Sequence, residues 1–335
     1  MNVSSILPVG KTDFFEEERA SLREAFLRRE GLEKELLIPL PVDCSKRRYF
    51  RLSHALLMDA PPPHEDTSRF QCVAELLQGT GLSVPQIYAA DHVDGFLLIE
   101  DFGELPYRKA LQEGVSEKLL YKEAVKALVY LHQKLPENTM NFPSYDNNLF
   151  LNKANDFLAW CDLSLSSEAQ SSFQEVWKEA YQNQPLIPQR LMMRDVMVDN
   201  LLWLPLRQGL QRCGFIDFQD ALWGPISYDL VSLLEDARRD VAPHFAKDML
   251  SIYLTAFPDL SKDDFEASYS LWGAQRSTRI LGLFYRLAKK DNKPQYLAHV
   301  PRVWAYLKRD LQYPHLKAVR QWFDTYGGDP WQKVR

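Results

Sequence analysis

The segment LMMRDVMVDNLLW, residues 191–203, combines the composition of a buried segment with four strongly polar side chains. Arg194 and Asp195 are adjacent, Asp199 and Asn200 follow, and the other positions are Leu, Met, Val and Trp. Burying an ionised carboxylate is unfavourable unless it finds partners. The segment is therefore either a set of capped turns or a site whose chemistry needs polar groups inside a packed region.

A predicted β-hairpin follows this segment. The sequence NLLWLPLRQGLQRCGFIDF, residues 200–218, contains two apolar runs joined by a turn-rich stretch. Asp195 and Asn200 precede the first run, and Asp217 ends the second. A hairpin would hold these three side chains near one another.

The three side chains suit phosphoryl transfer from a nucleotide. In that reaction the protein mainly orients the attacking hydroxyl and holds the divalent ions that bridge the phosphates. Asp195 can accept the hydroxyl proton, while Asn200 and Asp217 offer the oxygen ligands that Mg²⁺ prefers. In the alternative interpretation, all three only cap turns around the hairpin.

Two different patterns along the chain predict two lobes. In the first hundred residues, the short runs RRYFRL, HALLMDA, QIYAAD and FLLIED predict strands, and helices are expected from Asp13 and from Asp66 to Gly79. Asp94-Gly95 predicts a tight hairpin turn between the last two runs. The remainder is mostly helical by its 3.6-residue periodicity. The clearest helical periods lie near 117–133, 167–182, 226–238, 244–256, 264–288, 294–309 and 316–324.

The overall composition limits the class of protein. The chain has 335 residues, 46% of them hydrophobic and 25% charged, which suits two globular lobes. A net charge of -5 disfavours a broad surface for nucleic acid or an anionic membrane. Four scattered cysteines and seven histidines show no metal-binding spacing. Without a signal segment or a long apolar run, we expect a cytoplasmic protein. We also expect it to act as a monomer.

MRDVMVDN at 193–200 and FIDFQDALWGPISYDL at 215–230 resemble the catalytic segment of the aminoglycoside phosphotransferase and choline kinase superfamily, which shares the protein kinase fold. The resemblance implies an α+β, protein kinase-like two-lobe fold. Residues 1–103 would form a small, β-rich nucleotide-binding lobe with an N-terminal helix. Residues 104–335 would form a large, mostly helical catalytic and substrate-binding lobe that contains the hairpin.

The same resemblance implies roles for individual residues, with ATP and Mg²⁺ as cofactors. Asp195 would be the catalytic base, and Asn200 and Asp217 would be metal ligands. Asp229 would be a buried carboxylate that braces the catalytic loop.

Three positions depart from the superfamily pattern. Met193 and Met197 stand where relatives often have histidine, and Met58 stands at the position of a strand lysine that meets the nucleotide. Methionine cannot donate a hydrogen bond in their place. The residues expected to bind the nucleotide lie on the basic loop DCSKRRYFRL and the link LLIEDFG, and they are Ser45, Lys46, Arg48, Glu100 and Phe102. A solvated basic turn is an equally open interpretation for Lys46 and Arg47.

Further blocks, including LMDAPP and LLEDARRDV, resemble the bacterial anomeric amino-sugar kinases within this superfamily. This implies phosphorylation of the C1 hydroxyl of N-acetylmuramate and N-acetylglucosamine to the α-1-phosphate in peptidoglycan recycling, with a nucleotidyltransferase taking the product. The lactyl carboxylate of N-acetylmuramate suits an arginine partner. The expected substrate-binding residues are Asp195, Asp220, Arg238, Arg276 and Arg279. A solvated or structural role stays open for each of the three arginines, and Asp220 could instead accept hydrogen bonds from nearby backbone.

Two other functions remain open from the sequence. The chain could phosphorylate another small molecule, because LEDARRD mixes acidic and basic residues and does not separate anionic from cationic substrates. It could also be a nucleotide-binding pseudokinase, because the strand lysine is missing. The presence of Asp195, Asn200 and Asp217 together weighs against the pseudokinase.

Overall fold

The structure is a computed structural model that describes residues 10–41, 46–138, 140–161 and 163–328. The chain divides into two compact units, Met1–Glu104 and Leu105–Arg335. The first contains a small antiparallel sheet, and the second is mostly helical. This confirms the predicted α+β fold class.

The first unit is built on a five-stranded antiparallel sheet with the strand order β1-β2-β3-β5-β4. Gly95 has a φ of 75°, which allows the predicted tight turn between β4 and β5. The elements are α1 (Gly10–Arg29), β1 (Ile38–Pro39), β2 (Arg48–Arg51), β3 (Ala55–Asp59), α2 (Thr67–Gly79), β4 (Ile87–Asp91) and β5 (Phe96–Glu100).

The predicted start of α1 and the predicted stop of α2 differ from the structure, whereas the predicted cap of α2 agrees with it. Helix α1 begins at Gly10, so Asp13 lies inside the helix and does not mark its start. Asp66 caps α2 as predicted, since its side chain accepts hydrogen bonds from the backbone nitrogens of Ser68 and Arg69. Gly79 is the last helical residue, and the left-handed conformation occurs two residues later, at a glycine with a φ of 89°.

The second unit contains two short antiparallel ladders in addition to its helices. The predicted hairpin is confirmed as the ladder β7-β8, and a second ladder, β6-β9, was not anticipated. Helix α5 was also missed. The elements are α3 (Tyr107–Gln112), α4 (Glu117–Lys134), α5 (Asn147–Trp160), α6 (Ser167–Gln182), β6 (Gln189–Met192), β7 (Leu201–Trp203), β8 (Cys213–Phe215), β9 (Leu222–Pro225), α7 (Tyr228–Leu234), α8 (Pro243–Thr255), α9 (Lys262–Lys289), α10 (Val300–Asp310) and α11 (Lys317–Trp322).

Helix α9 is the central helix of the second unit. It is 28 residues long, and its buried aromatic side chains share one core cluster with residues of α5, β6 and β9. Trp272 is 1% exposed and lies edge-on to Phe150, with ring centroids 5.2 Å apart, and to Tyr145, with centroids 5.0 Å apart. Each buried aromatic side chain of this kind contributes roughly 2–3 kcal/mol. The packing therefore fixes α9 relative to α5 and to the segment just before α5.

No helix in the parts of the chain that the structure describes is both long and apolar enough to cross a membrane.

Candidate active site

Two loops meet where the short ladders end. Residues 193–200 connect β6 to β7, and residues 216–221 connect β8 to β9. Since β6 pairs with β9 and β7 pairs with β8, the two loops lie side by side. The backbone nitrogen of Ile216 donates to the carbonyl of Asn200 at 3.1 Å, which fixes one loop to the other.

The three polar residues predicted from the sequence come together on these loops. The side-chain nitrogen of Asn200 donates to the backbone oxygen of Asp195 at 2.9 Å and faces a carboxylate oxygen of Asp217 at 3.4 Å. Gln219, which sequence reasoning missed, donates to the other oxygen of Asp217 at 3.0 Å. One amide side chain thus links the candidate base to the candidate metal ligand.

Asp229 holds the start of the first loop. Its buried carboxylate accepts hydrogen bonds from the backbone nitrogens of Met193 at 2.7 Å and Arg194 at 2.8 Å. Burial raises the pKa of this carboxyl to about 7, although the two hydrogen bonds oppose the rise. The side chain therefore holds the backbone of the loop at Met193 and Arg194.

A second buried carboxylate, Asp236, holds the other end of the loop. It accepts hydrogen bonds from the backbone nitrogens of Val198 at 3.4 Å and Arg238 at 2.8 Å. Sequence reasoning missed this contact, although the acidic residues of LLEDARRDV were a visible signal. Both ends of the loop are consequently anchored to the segment that follows β9.

Each of the two loops contains one residue in the left-handed region of backbone conformation. Arg194 has a φ of 74° and Asp217 has a φ of 60°. Such conformations cost on the order of 1 kcal/mol or more for residues other than glycine. The contacts from Asp229, Asn200 and Gln219 maintain these conformations next to the candidate catalytic groups.

Arginines surround the carboxylate of Asp195. Arg276 is 2% exposed, donates to the hydroxyl of Ser232 at 2.8 Å, and places the same nitrogen 3.7 Å from an oxygen of Asp195. Burial raises the pKa of the Asp195 carboxyl, but the positive charges outweigh burial and hold that pKa below its ordinary value. The arginines are, in order of effect, Arg279, Arg276, Arg194 and Arg238. Asp195 is thus kept ionised, as a proton acceptor must be.

The other expected substrate residues have different surroundings. Arg238 forms an ion pair with Asp199 at 3.2 Å, and its guanidinium lies 5.5 Å from the ring centroid of Tyr296. Asp220 is exposed, and its backbone oxygen accepts from Arg194 at 3.3 Å. Arg279 on α9 is partly exposed, whereas Arg276 is buried.

In the first unit, Arg48 belongs to an ion-pair cluster around the fully buried Asp59. Arg48 lies opposite Asp59 across the β2-β3 ladder, 3.3 Å from its carboxylate, and Arg19 of α1 contacts the same carboxylate at 2.5 Å. Because successive residues of a strand face opposite sides of the sheet, Met58 faces away from this cluster. The structure therefore does not bring Arg48 to the side of Met58. Lys46 is exposed, and Ser45 lies outside the described residues.

The link after β5 is held in place by ion pairs. Arg51 contacts the carboxylate of Asp101 at 2.6 Å and also pairs with Glu104. The backbone nitrogen of Glu100 donates to the carbonyl of Gln86 at 2.8 Å, so the sheet already uses that donor. Phe102 is half-buried on the link.

The side chains of Asn200 and Asp217 suit a divalent cation. Hard cations bind carboxylate and amide oxygens, and Mg²⁺ commonly takes one or two protein ligands and completes its shell with water and phosphate. The 3.4 Å contact brings the Asn200 amide next to the Asp217 carboxylate through its nitrogen. The amide oxygen of Asn200 would therefore have to turn toward Asp217 for both side chains to bind one cation. The donor set therefore fits Mg²⁺.

A small antiparallel sheet unit followed by a helical unit with polar side chains on two adjoining loops is the arrangement expected of a kinase-like phosphotransferase. The model of the phosphotransferase enzyme family matches residues 37–265, and the chain belongs to this family.

Known proteins are similar to the chain over most of its length. A Caulobacter vibrioides protein named N-acetylmuramate/N-acetylglucosamine kinase is 32% identical, across 92% of this chain and 97% of that protein. Among solved structures, a choline/ethanolamine kinase family protein from Mesorhizobium loti has a TM-score of 0.63 at 16% identity, covering 92% of this chain and 99% of its own. The streptomycin–ATP ternary complex of aminoglycoside phosphotransferase APH(2")-IIa has a TM-score of 0.54 at 14% identity, covering 82% and 91%. These two structures confirm the protein kinase-like fold.

Proposed function

We propose that the chain is an ATP-dependent kinase that phosphorylates the C1 hydroxyl of N-acetylmuramate and N-acetylglucosamine to the α-1-phosphate. Membership of the phosphotransferase family supports a kinase. The name of the Caulobacter vibrioides relative supports an amino sugar as the acceptor, and the ATP in a solved structure of the same fold supports ATP as the donor.

The observation that carries the proposal is the link that Asn200 makes between Asp195 and Asp217. Asp195 would be the base that accepts the proton of the C1 hydroxyl. The freed oxygen forms a bond to the γ-phosphorus of ATP while the bond from that phosphorus to the β,γ-bridging oxygen breaks, and ADP leaves. Asn200 and Asp217 would hold Mg²⁺, which supplies positive charge to the phosphate oxygens when bound.

Each expected ligand-binding residue receives a role that matches its surroundings. The positive charge of Arg276 would keep Asp195 ionised, because this guanidinium is almost completely buried and lies next to the carboxylate. Arg279 is partly exposed and would contact the sugar. Arg238 and Asp220 would contact the sugar more peripherally, because Arg238 is already paired with Asp199.

For the nucleotide, we propose that the basic loop with Ser45 and Lys46 contacts the phosphates. The link at Glu100 and Phe102 would contact the base through backbone groups other than the Glu100 nitrogen, which the sheet uses. Arg48 would support this loop through Asp59. The sugar phosphate would pass to a cytoplasmic nucleotidyltransferase in peptidoglycan recycling.

Substitutions of the two acidic residues test the proposal. We expect Asp195→Asn to lower kcat by at least about 10³-fold with nearly normal ATP affinity, because only the proton acceptor is lost. Asp217→Asn should weaken Mg²⁺-dependent ATP binding as well. The measurement is a coupled ADP-release assay on a panel of amino sugars, with isothermal titration of ATP.

The outcomes separate the proposal from its alternatives. Substantial activity in Asp195→Asn would show that another group is the base. Turnover restricted to acceptors other than these two sugars would indicate a different small-molecule kinase. ATP binding without turnover on any acceptor would indicate a pseudokinase, for which the buried Met58 at the strand-lysine position is the favouring observation.

A further inference from the structure

Helices α5 and α9 pack closely and run in the same direction. The side chain of Gln275 on α9 donates to the backbone oxygen of Phe150 on α5 at 3.0 Å. Further along, Gly282 of α9 lies directly against the backbone of Asp156 and Phe157 of α5. From the first contact to the second, the residue number increases along both helices, so the helices are parallel. The two contacts therefore show which residues of α5 lie beside which residues of α9.

Each helix presents a cation midway between the two contacts. Lys153 on α5 and Arg279 on α9 lie at the same height along the paired helices. Each is within one helical turn of the contact residues of its own helix. Residues three or four positions apart share a helix face, so both side chains are on the faces turned toward the neighbouring helix. Both are partly buried.

The charges that act on Lys153 are mainly positive. They come from Arg279, Arg194 and Arg286, and the opposing carboxylate is Asp156. The pKa of the Lys153 ammonium is lowered, most strongly by burial and next by the charge of Arg279. The carboxylate of Asp156 raises this pKa, but by less than the other effects lower it. Partly buried like charges repel one another. An anionic ligand between them would remove this repulsion.

The cation pair also lies close to the candidate base. Arg279 is the arginine with the largest effect on Asp195, and Arg276, three residues earlier on α9, lies 3.7 Å from that carboxylate. Three residues of helix span about 4.5 Å. A sugar with its anomeric hydroxyl at Asp195 would therefore place a substituent on a nearby ring carbon within reach of Arg279 and Lys153.

We propose that Lys153 and Arg279 together bind the carboxylate of an acidic amino sugar, which makes Lys153 the residue that distinguishes N-acetylmuramate from N-acetylglucosamine. This inference rests on the proposed amino-sugar kinase function. The two sugars differ only in the lactyl group on O3, so a residue that binds its carboxylate affects one substrate and spares the other.

The test compares Lys153→Met with the wild-type chain on both sugars. Methionine keeps the length of the side chain and removes the charge, and Lys178→Met, an exposed lysine on α6, is the matched control. We expect kcat/KM for N-acetylmuramate to fall about 10-fold to 100-fold, mainly through KM, because a charge-assisted contact is lost. For N-acetylglucosamine the change should stay within about 3-fold. Lys153→Arg should recover much of the loss.

A pH series gives a second readout. The charge of Lys153 is lost as the pH rises through its lowered pKa. In the wild-type enzyme, kcat/KM for N-acetylmuramate should therefore fall earlier on the alkaline side than kcat/KM for N-acetylglucosamine. In Lys153→Met the two profiles should coincide.

Other outcomes overturn the inference. An equal loss of kcat/KM with both sugars would show that Lys153 contacts the transferred phosphoryl group or supports folding. An unchanged ratio of kcat/KM between the two sugars would show that Lys153 does not bind the lactyl carboxylate. In either case the kinase proposal stands, because N-acetylglucosamine turnover by the wild-type enzyme reports it independently. Failure of the wild-type chain to phosphorylate either sugar would overturn both.

Discussion

Gly282→Ala tests the close approach of α5 and α9. A Cβ atom at this position would lie 2.6 Å from the backbone nitrogen of Phe157 and closer still to the carbonyl of Asp156. Ordinary contact begins at 3.4 Å, so the first of these distances is 3.4 − 2.6 = 0.8 Å too short. Both neighbours are backbone atoms, which cannot rotate away, and the helices would have to separate.

Two effects of opposite sign determine the result. Alanine in a helix interior is favoured over glycine by about 1 kcal/mol. Overpacking at a closed interface costs about 1–3 kcal/mol and more where backbone must shift. We therefore expect a net loss of about 2 kcal/mol in the free energy of unfolding. That loss corresponds to a fall in Tm of about 4–8 °C for a unit of this size.

Thermal and urea unfolding followed by circular dichroism measure this effect. Gly79→Ala at the end of α2 is the matched control, because its added Cβ would meet nothing within 4 Å. The control should be neutral or slightly stabilising. A Gly282→Ala protein as stable as the wild type would refute the close packing, and with it the matched levels of Lys153 and Arg279.

Two further predictions concern buried polar groups. Asp229→Asn should lower kcat about 100-fold, since one amide oxygen cannot accept from the nitrogens of both Met193 and Arg194, and steady-state kinetics on a correctly folded variant would measure the loss. Activity near the wild-type level would show that the loop does not depend on this brace. His132 shares a 2.6 Å hydrogen bond with Tyr253, and burial lowers its pKa to about 3. Because the unfolded chain binds a proton near pH 6.5 and the folded chain does not, stability should decline by up to about 1.4 kcal/mol per pH unit as the pH falls from 6.5 toward 3. Urea unfolding across this range should show a shallower decline in His132→Gln, and an identical decline would contradict a neutral, buried histidine.

The sequence predicted that three polar residues would come together, because they lie at short spacings along the chain. Asp195, Asn200 and Asp217 flank one hairpin, and local strand pairing is enough to bring them together. The ladder between β6 and β9 was not predictable in this way, because its two short strands are separated by the whole hairpin.

The surroundings of the site depend on long-range packing that no local pattern encodes. Arg276 and Arg279 look equivalent in the sequence, yet Arg276 is almost inaccessible to solvent next to Asp195, and Arg279 is partly exposed. Lys153 was overlooked because α5 itself was missed, although Asp146 gave a start signal as its N-cap. Arg48 looked like a phosphate-binding residue because its partner Asp59 lies on a different strand.

The most direct test of the proposed function is ³¹P NMR of the purified protein with Mg²⁺-ATP and each sugar in turn. The account predicts a new phosphomonoester signal whose proton coupling assigns it to the α-anomeric C1 position, absent with Asp195→Asn. A phosphomonoester at another carbon would contradict phosphorylation at C1. No product with either sugar would contradict the amino-sugar kinase itself.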